Sequence, residues 1–253
     1  MTSSGEDPND RNYSPVNIGT LSSTSEVNTF FSRFNHTNGY KDGDTRLRIG
    51  NRITINDGTY NAVWVIAGFD LEHNQIAADG TVYDNGYGIC LVPDTYLGNS
   101  EYTWNDYQTI SGGYNTSTIH TTHLPTVVNT LKNILGSHIV SRNVLLSSSI
   151  LGYYSNAYTW TTAYATLMSF GQLNGIFASY YNKYDDGEAN YRLPLFIFED
   201  YKSSNNSFNY WLRGLAGLHS NSGSQLAYMV YTSSSYTNRI NYTSRIRPLI
   251  YVR

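Results

Sequence analysis

The stretch that decides the fold is RITINDGTYNAVWVIAGF, residues 52–69. Its first part, Arg52 to Ile55, has the composition of a strand, and Asp57-Gly58 is a pair typical of a tight hairpin turn. The part that follows, Tyr60 to Phe69, is long and largely apolar, as expected of a strand buried in a core. The stretch therefore predicts two strands joined by a turn.

Strand patterns continue on both sides of this hairpin. Asn85-Gly86 is a second hairpin signal, and it separates a strand at Thr81–Asp84 from one at Tyr87–Val92. Cys90 then falls in a core strand, where we expect a packed residue and not a reactive thiol. Further strands are predicted at Arg46–Ile49, Ala163–Met168, Leu193–Phe198, Tyr210–Leu215, Gln225–Tyr231 and Arg247–Val252.

Two helices are predicted, both early in the chain. Ser23 with Glu26 forms a capping box, and the apolar residues after it have the spacing of one helix face: Val27, Phe30, Phe31 and Phe34. This short helix either docks on the domain or pairs with its copies in an oligomer. A second helix runs from about Pro125 to Leu135, with Gly136 just beyond its end. Few early helices and many later strands predict an α+β fold.

Composition excludes several classes of protein. The 253 residues include 24 Tyr and one Cys, 15% are aromatic, and the net charge is only -3, which is unlike a disordered chain. A single Cys forbids an internal disulfide and a Cys-rich zinc site. The best apolar run, Ala62 to Phe69, is far shorter than the ~18 residues of a membrane span. The first residues are polar and acidic and lack a secretory signal pattern, so the protein is expected to be soluble when made.

Charge is distributed unevenly along the chain. All 19 acidic residues lie at or before Asp200, and residues 201–253 contain none. The cations of this last part are Lys202, Arg213, Arg239, Arg245, Arg247 and Arg253. A basic face would suit nucleic acid, but these cations are spread among Ser, Asn and Tyr without clustering, so nucleic acid is not a predicted partner.

Three motifs could be taken for metal sites. Asp185-Asp186-Gly187-Glu188 groups three carboxylates, which suits calcium, but it lacks the spacing of a known calcium loop and equally suits an acidic surface loop. His120 and His123 would need a third zinc ligand, so a polar surface turn is expected there. Trp104-Asn105-Asp106 spells a signature of calcium-dependent C-type lectins, but in the wrong half of the chain, so we treat it as a coincidence. No metal site and no cofactor are predicted; calcium at the acidic loop stays open.

Signatures of enzymes are absent from the sequence. The chain has no G-x-S-x-G, P-loop, H-E-x-x-H or G-x-G-x-x-G motif. A glycosidase needs only two well-placed carboxylates, so an enzyme that cleaves polysaccharide stays as an alternative. The chain is otherwise predicted not to be an enzyme.

The segment from Asn205 to Tyr242 is unusually rich in Asn, Ser and Tyr, interrupted by small apolar pieces. The apolar pieces would anchor strands in a core. Tyr provides large contact area at low entropic cost, and Ser and Asn provide adaptable hydrogen bonds, as in antibody paratopes. Composition alone equally allows Tyr and Ser to decorate exposed strand faces.

Several segments, in a consistent order and spacing, carry a family resemblance: Gly50–Ile55, Trp64–Asp70, Gly112-Gly113-Tyr114 with Ser117, Leu193–Phe196, Tyr210–Arg213 and Ile246-Arg247-Pro248. Through these segments the chain resembles a family of C-terminal domains with a C-type lectin fold. These domains occur in structural proteins of phages of gut bacteria, namely tail or head fibres. It also resembles the variable proteins of diversity-generating retroelements, in which adenine-directed mutagenesis varies exposed residues near the C-terminus.

The resemblance implies a C-type-lectin-like α+β domain at residues 45–253, whose last strands and loops form a ligand-binding face. Residues 1–44 would be a polar leader and short amphipathic helix for virion attachment or oligomerisation. The predicted contact residues are Tyr210, His219, Asn221, Ser222, Ser224, Tyr228, Tyr231, Ser233, Ser234, Tyr236, Asn238, Asn241 and Tyr242. The predicted scaffold residues are Trp211, Arg213, Arg247 and Pro248.

The leading hypothesis is a phage fibre or receptor-binding protein that adheres without covalent chemistry to a bacterial surface protein or glycan. It would act as a homotrimer, assembled in the host cytoplasm into the virion beside other virion structural proteins, without membrane insertion. The alternative is a capsid or tail decoration, locked to a neighbouring virion protein by its leader and first helix. The host, the receptor and a head or tail location stay open.

Overall fold

The structure is a computed structural model, and it describes residues 15–34, 39–41, 46–77, 80–97, 100–107, 109, 111–151, 154–174, 193–197, 209–218, 225–231 and 234–253. Within them lie three α-helices: α1 (Thr24–Phe31), α2 (Leu124–Leu135) and α3 (Phe170–Asn174). The strands are β1 (Asn17–Leu21), β2 (Arg52–Asn56), β3 (Asn61–Phe69), β4 (Gln75–Ile76), β5 (Val82–Tyr83), β6 (Ile89–Pro93), β7 (Tyr102–Thr103), β8 (Arg142–Leu151), β9 (Tyr154–Ala163), β10 (Ala165–Leu167), β11 (Tyr210–Leu218), β12 (Gln225–Tyr231), β13 (Ser234–Arg239), β14 (Thr243–Ile246) and β15 (Pro248–Val252). Mixed sheets with few helices confirm the α+β prediction.

The main sheet has six strands in the order β1-β2-β3-β6-β15-β10. Its central strands are buried on both faces, because alternate side chains of a strand point to opposite sides. On β3, Trp64 and Ile66 belong to one apolar cluster, whereas Val65 and Ala67 belong to a second cluster on the other face. This explains why Tyr60 to Phe69 is almost continuously apolar. Cys90 is fully buried in β6, as predicted.

The hairpin predicted from residues 52–69 is confirmed. Strands β2 and β3 pair antiparallel, with Ile53 opposite Trp64. In the turn between them, the Asp57 carboxylate accepts hydrogen bonds from the backbone N–H groups of Thr59 (2.9 Å) and Tyr60 (2.7 Å). These bonds hold the pKa of Asp57 below its usual value. The turn residue thus satisfies the backbone donors that the hairpin leaves unpaired.

Helix α1 docks on the domain instead of standing apart from it. The Ser23 hydroxyl accepts from the Glu26 N–H, as the capping box predicts. Val27, Phe30 and Phe31 are buried in the cluster that also holds the core residues of α2. The prediction of a polar leader before this helix is partly wrong. Residues 17–21 form β1, which pairs parallel with β2 in the main sheet. Within the described residues, β1 and α1 therefore share one core with the rest of the chain.

Helix α2 also matches its prediction, with Pro125 in its first turn and Gly136 at its C-cap. Directly before it, residues Ile119–His123 form one π-helical turn. No helix in the described part of the chain is both long and apolar enough to cross a membrane.

A second sheet has five strands in the order β13-β12-β11-β14-β7. Strand β11 pairs antiparallel with β12 and parallel with β14. Trp211, at the start of β11, is fully buried in the same cluster as Trp64. The core of the main sheet therefore extends beneath the sheet that carries six of the thirteen predicted contact residues on its strands.

Three strand predictions are wrong. Asn85-Gly86 does not close a hairpin, because β5 pairs with β4 while β6 pairs with β3 and β15. Residues 194–197 form a 3-10 turn instead of a strand; Pro194 has no N–H to give to a ladder. Residues 46–49 are irregular. The long β8–β9 ribbon, which has Trp160 opposite Leu145, was not predicted.

A buried ion pair ties this ribbon to the main sheet. The Arg142 guanidinium on β8 donates to the Glu72 carboxylate, and both side chains are 1% exposed. Arg142 also donates to the Thr166 hydroxyl of β10 at 3.0 Å, and the Asn85 amide donates to Glu72 at 2.8 Å. Removal of either charge alone would leave the other uncompensated in a dry interior.

Candidate binding surface

Eight of the thirteen predicted contact residues lie on three strands and one turn of the second sheet. Tyr210 is on β11, Tyr228 and Tyr231 are on β12, and Ser234, Tyr236 and Asn238 are on β13. Asn241 and Tyr242 lie in the turn between β13 and β14. The other five lie outside the described residues: His219, Asn221, Ser222, Ser224 and Ser233.

Strand pairing brings several of these residues to neighbouring positions. Strands β12 and β13 are antiparallel, with Tyr231 opposite Ser234 and Met229 opposite Tyr236. Ala227 and Met229 of β12 are buried in the main core. The segment that carries these residues is therefore anchored by its own apolar residues, as the alternation of small apolar and polar-aromatic pieces predicts.

Tyr210 corrects the predicted set, because its side chain is 1% exposed and packs in the second apolar cluster. The guanidinium of Arg247 lies 5.6 Å from the centroid of its ring. Burial raises the pKa of the Tyr210 hydroxyl, against the opposing effect of Arg247. Tyr210 is thus a core residue and not a displayed one.

The turn after β13 is exposed. The Tyr242 side chain is 48% accessible and Asn241 is exposed beside it, whereas Ile240 between them and β13 is buried. The Arg239 guanidinium lies 6.0 Å from the centroid of the Tyr242 ring, and Asn238 is half-buried. Four polar or aromatic side chains therefore surround one buried anchor.

A second segment, residues 100–107, borders this turn and was missed by sequence reasoning. Strand β7 pairs antiparallel with β14, with Thr103 opposite Thr243. The Thr243 hydroxyl donates to the Glu101 carboxylate at 2.9 Å. Tyr107, at 81%, is among the most exposed large side chains that the structure describes. The signal was present in the sequence, since YTWNDY has the Tyr-rich and Asn-containing composition of the C-terminal stretch.

Trp104 and Asn105 fix the 100–107 segment to the second sheet. The Trp104 indole is fully buried and donates to the Leu212 carbonyl at 3.0 Å. The backbone N–H groups of Trp104 and Asn105 both donate to the Ile240 carbonyl, at 3.0 and 3.2 Å. The Trp-Asn-Asp sequence is therefore structural here: it connects the loop that carries Tyr107 to the turn that carries Tyr242.

The predicted scaffold residues are confirmed. The Trp211 indole is buried and donates to the Tyr102 carbonyl at 2.8 Å. Arg247 is fully buried and donates to the carbonyl oxygens of Pro93 and Asp94, at 2.9 and 3.3 Å. Arg213 is also buried, and Pro248 begins β15. Two of the six C-terminal cations thus serve the interior instead of a basic face.

The surface turn predicted at His120 and His123 is wrong for His120. Its ring is half-buried against Tyr114, with ring centroids 4.9 Å apart, and its Nδ1 is buried without a hydrogen-bond partner. Burial, with a smaller effect from Arg213, lowers the pKa of His120 to about 4. His123 packs its ring on Tyr102 instead, at 4.6 Å between centroids.

No metal centre is assembled by the part of the chain that the structure describes. There, no group of three or more His, Cys, Asp or Glu side chains comes close enough to hold an ion. The acidic sequence Asp185-Asp186-Gly187-Glu188 lies outside that part. Comparison of the chain with known protein families, with curated proteins and with solved structures finds no match.

Proposed function

We propose that this chain is a phage virion fibre or receptor-binding protein that adheres to a bacterial surface protein or glycan. One observation carries the proposal: two separate segments place exposed tyrosines, Tyr107 and Tyr242, on loops that share a buried anchor at Ile240. The family resemblance of the sequence supports it independently.

Rigid presentation is what an adhesive surface of this composition needs. Tyr side chains offer amphipathic contact area and lose little entropy on binding, provided that the backbone beneath them is already ordered. Here Trp104 and Trp211 are fully buried and donate hydrogen bonds to the backbones of Leu212 and Tyr102, which join the 100–107 segment to β11. The cost of ordering these loops would therefore be met during folding and not during binding.

The proposal includes the finer description of the fold. The mixed sheets with few helices are compatible with a C-type-lectin-like domain, and the C-terminal strands β11 to β13 would be its binding face. The Asn, Ser and Tyr residues at 205–242 would be the products of adenine-directed mutagenesis by a diversity-generating retroelement. The gene locus tests this: a reverse-transcriptase gene and a near-copy of the 3′ end, differing mainly at adenines, are expected beside it.

Several copies on one particle would make weak binding effective. A homotrimeric fibre lets a second domain bind at high effective concentration once the first is attached, which raises apparent affinity by about 10²–10⁴. Each single domain then needs only modest affinity. Coupling many copies of the protein to one bead reproduces this multivalent display in an experiment.

The test replaces Tyr107 and Tyr242 together by serine. Wild-type protein coupled to fluorescent beads should label at least one strain in a panel of gut bacteria, and the double variant should label that strain at least about tenfold less, because each lost aromatic contact typically costs 1–2 kcal/mol or more. The matched control replaces Ile76 and Val82, two exposed apolar residues on the β4–β5 ribbon, by serine. It should label like the wild type.

Two results would contradict the proposal. If the tyrosine variant keeps full labelling, this surface does not bind the receptor. If correctly folded wild-type protein labels no strain but co-assembles with virion proteins, the alternative of a structural decoration protein is favoured.

A further inference from the structure

A cleft separate from the tyrosine surface lies between helix α2 and the end of strand β9. Its volume is about 480 Å³, within the range of small-molecule sites in proteins. One wall is formed by α2 from Leu124 to Lys132 and by the π-helical turn before it. The opposite wall is formed by residues 161–165, where β9 ends and β10 begins.

Three polar side chains in this cleft are not used by the protein itself. Within the described residues, the side chains of Asn115, Asn129 and Thr161 line the cleft and make no hydrogen bond. Their neighbours differ: the Thr121 hydroxyl donates to the Ser117 carbonyl at 2.9 Å, and the Thr162 hydroxyl donates to the Asn143 amide oxygen at 3.2 Å. Two amides and a hydroxyl therefore remain to pair with a polyhydroxylated ligand.

His120 adds an uncharged imidazole that can form hydrogen bonds. Its ring lines the cleft, and its Nδ1 is buried without a partner. Because burial lowers its pKa to about 4, the imidazole is neutral at neutral pH. With Nδ1 enclosed, the neutral ring has Nε2 as its other hydrogen-bonding atom.

The charge of the cleft points to an anion. Among the described residues that line it, Lys132 is the one lysine or arginine, and none is acidic. The Lys132 ammonium lies 3.3 Å from the centroid of the Tyr164 ring, which holds it against the wall. Leu124, Val128, Ala163 and Ala165 supply an apolar lining for the C–H face of a ring.

We propose that this cleft binds an acidic monosaccharide unit, such as a hexuronic acid. The carboxylate pairs with Lys132, and the ring hydroxyls pair with Asn115, Asn129, Thr161 and His120. The inference does not depend on the tyrosine surface, because none of the lining residues belongs to the 100–107 segment or to residues 205–242.

The test titrates the full chain with D-glucuronate, and with D-glucose and acetate as the neutral sugar and the bare carboxylate. Glucuronate should bind with a millimolar or lower Kd, about tenfold or more tightly than either partial ligand, because a charge-assisted hydrogen bond and the hydroxyl contacts both contribute. Lys132→Met should weaken glucuronate binding about tenfold. Lys132→Arg should keep most of it, and Asn129→Ala with Thr161→Val should lower it several-fold.

The control is Asn133→Ala, an exposed residue of the same helix that does not line the cleft. It should bind glucuronate like the wild type, and circular dichroism establishes that each variant is folded. Glucuronate binding that is absent, unchanged by Lys132→Met or matched by glucose overturns the proposal. Acetate binding as tight as glucuronate binding overturns the saccharide assignment.

Discussion

The imidazole of His120 couples the stability of the protein to pH. The ring sits between Tyr114 and the cleft, and the burial of its Nδ1 opposes protonation. Its pKa in the folded protein is about 4, against 6.5 in the unfolded chain. Between these two values, the unfolded chain takes up a proton that the folded protein does not.

The free energy of unfolding should therefore fall as the pH is lowered from about 6.5 to about 4. The contribution of His120 to this loss is up to roughly 3 kcal/mol, since one pKa unit corresponds to about 1.4 kcal/mol. The measurement is urea denaturation at several pH values, with His120→Phe as the comparison, because Phe keeps an aromatic ring but does not titrate. The variant should lose this part of the pH dependence, and identical slopes for the two proteins would exclude His120 as its source.

The turn before Tyr114 shows how one residue positions an element. Gly113 has φ 63°, and a Cβ on it would lie 2.2 Å from the backbone oxygen of Ser147 in β8. Only glycine lets the 3-10 turn that follows it, Tyr114–Thr116, approach the strand so closely. The approach places the Tyr114 hydroxyl where it accepts from the Leu167 N–H of β10, at 2.8 Å.

Gly113→Ala should consequently be much more damaging than Gly136→Ala. Gly136 has a similar φ of 57°, but a Cβ there would meet nothing within 4 Å. Its substitution should cost about 1–3 kcal/mol through backbone strain alone, whereas Gly113→Ala should cost at least about 2 kcal/mol more through steric overlap. Thermal denaturation of the two variants measures how much stability each loses. Equal losses would contradict the close approach of Gly113 to Ser147.

Local chemistry was enough to predict the elements whose ends it defines. The capping box of α1, the Gly136 end of α2 and the Asp57 turn all depend on contacts between near neighbours in sequence, and all are confirmed. The hairpin predicted at Asn85-Gly86 is wrong because β6 pairs instead with β3 and β15, and the partner of a strand is set by packing at a distance. The 100–107 segment was missed for the same reason, because it borders the turn that carries Tyr242 only through the pairing of β7 with β14.

The cleft and the buried histidine could not be predicted from sequence for a related reason. The sequence HTTH is polar throughout and so predicts a surface turn, whereas the fold packs the His120 ring against Tyr114. By contrast, the scaffold roles of Trp211 and Arg247 followed from residue type, since a large aromatic ring and a guanidinium among apolar strands both need buried partners. The chemistry of a residue could be inferred from the sequence, but which residues lie close together in the fold could not.

At the scale of the whole molecule, the fold depends on one short segment late in the chain. Strand β15 lies between β6 and β10 in the main sheet, and all five of its residues are buried. Ile250 and Val252 pack in one apolar cluster, and Leu249 and Tyr251 pack in the other. No neighbouring strand could replace it without a change of sheet order.

Deletion of residues 248–253 should therefore abolish cooperative unfolding altogether. Two milder variants calibrate this expectation: Ile250→Ala should destabilise the protein by about 2–5 kcal/mol and leave one cooperative transition, and deletion of Arg253 alone should leave the strand in place. Calorimetry of the three proteins tests it. A truncated chain that still melts cooperatively near the wild-type temperature would show that β15 is dispensable.

Because β15 lies so late in the sequence, mutations that stop translation or shift the reading frame before it prevent the protein from folding. The strand is encoded downstream of the Asn-, Ser- and Tyr-rich segment, so a nonsense codon or a shifted reading frame within residues 205–242 also removes Pro248–Val252. Ribosomes would then release chains whose β6 and β10 keep unpaired edges, and such chains aggregate or are degraded. Only genes that remain in frame through this segment would yield folded protein, so every folded copy comes from a message that is intact as far as β15.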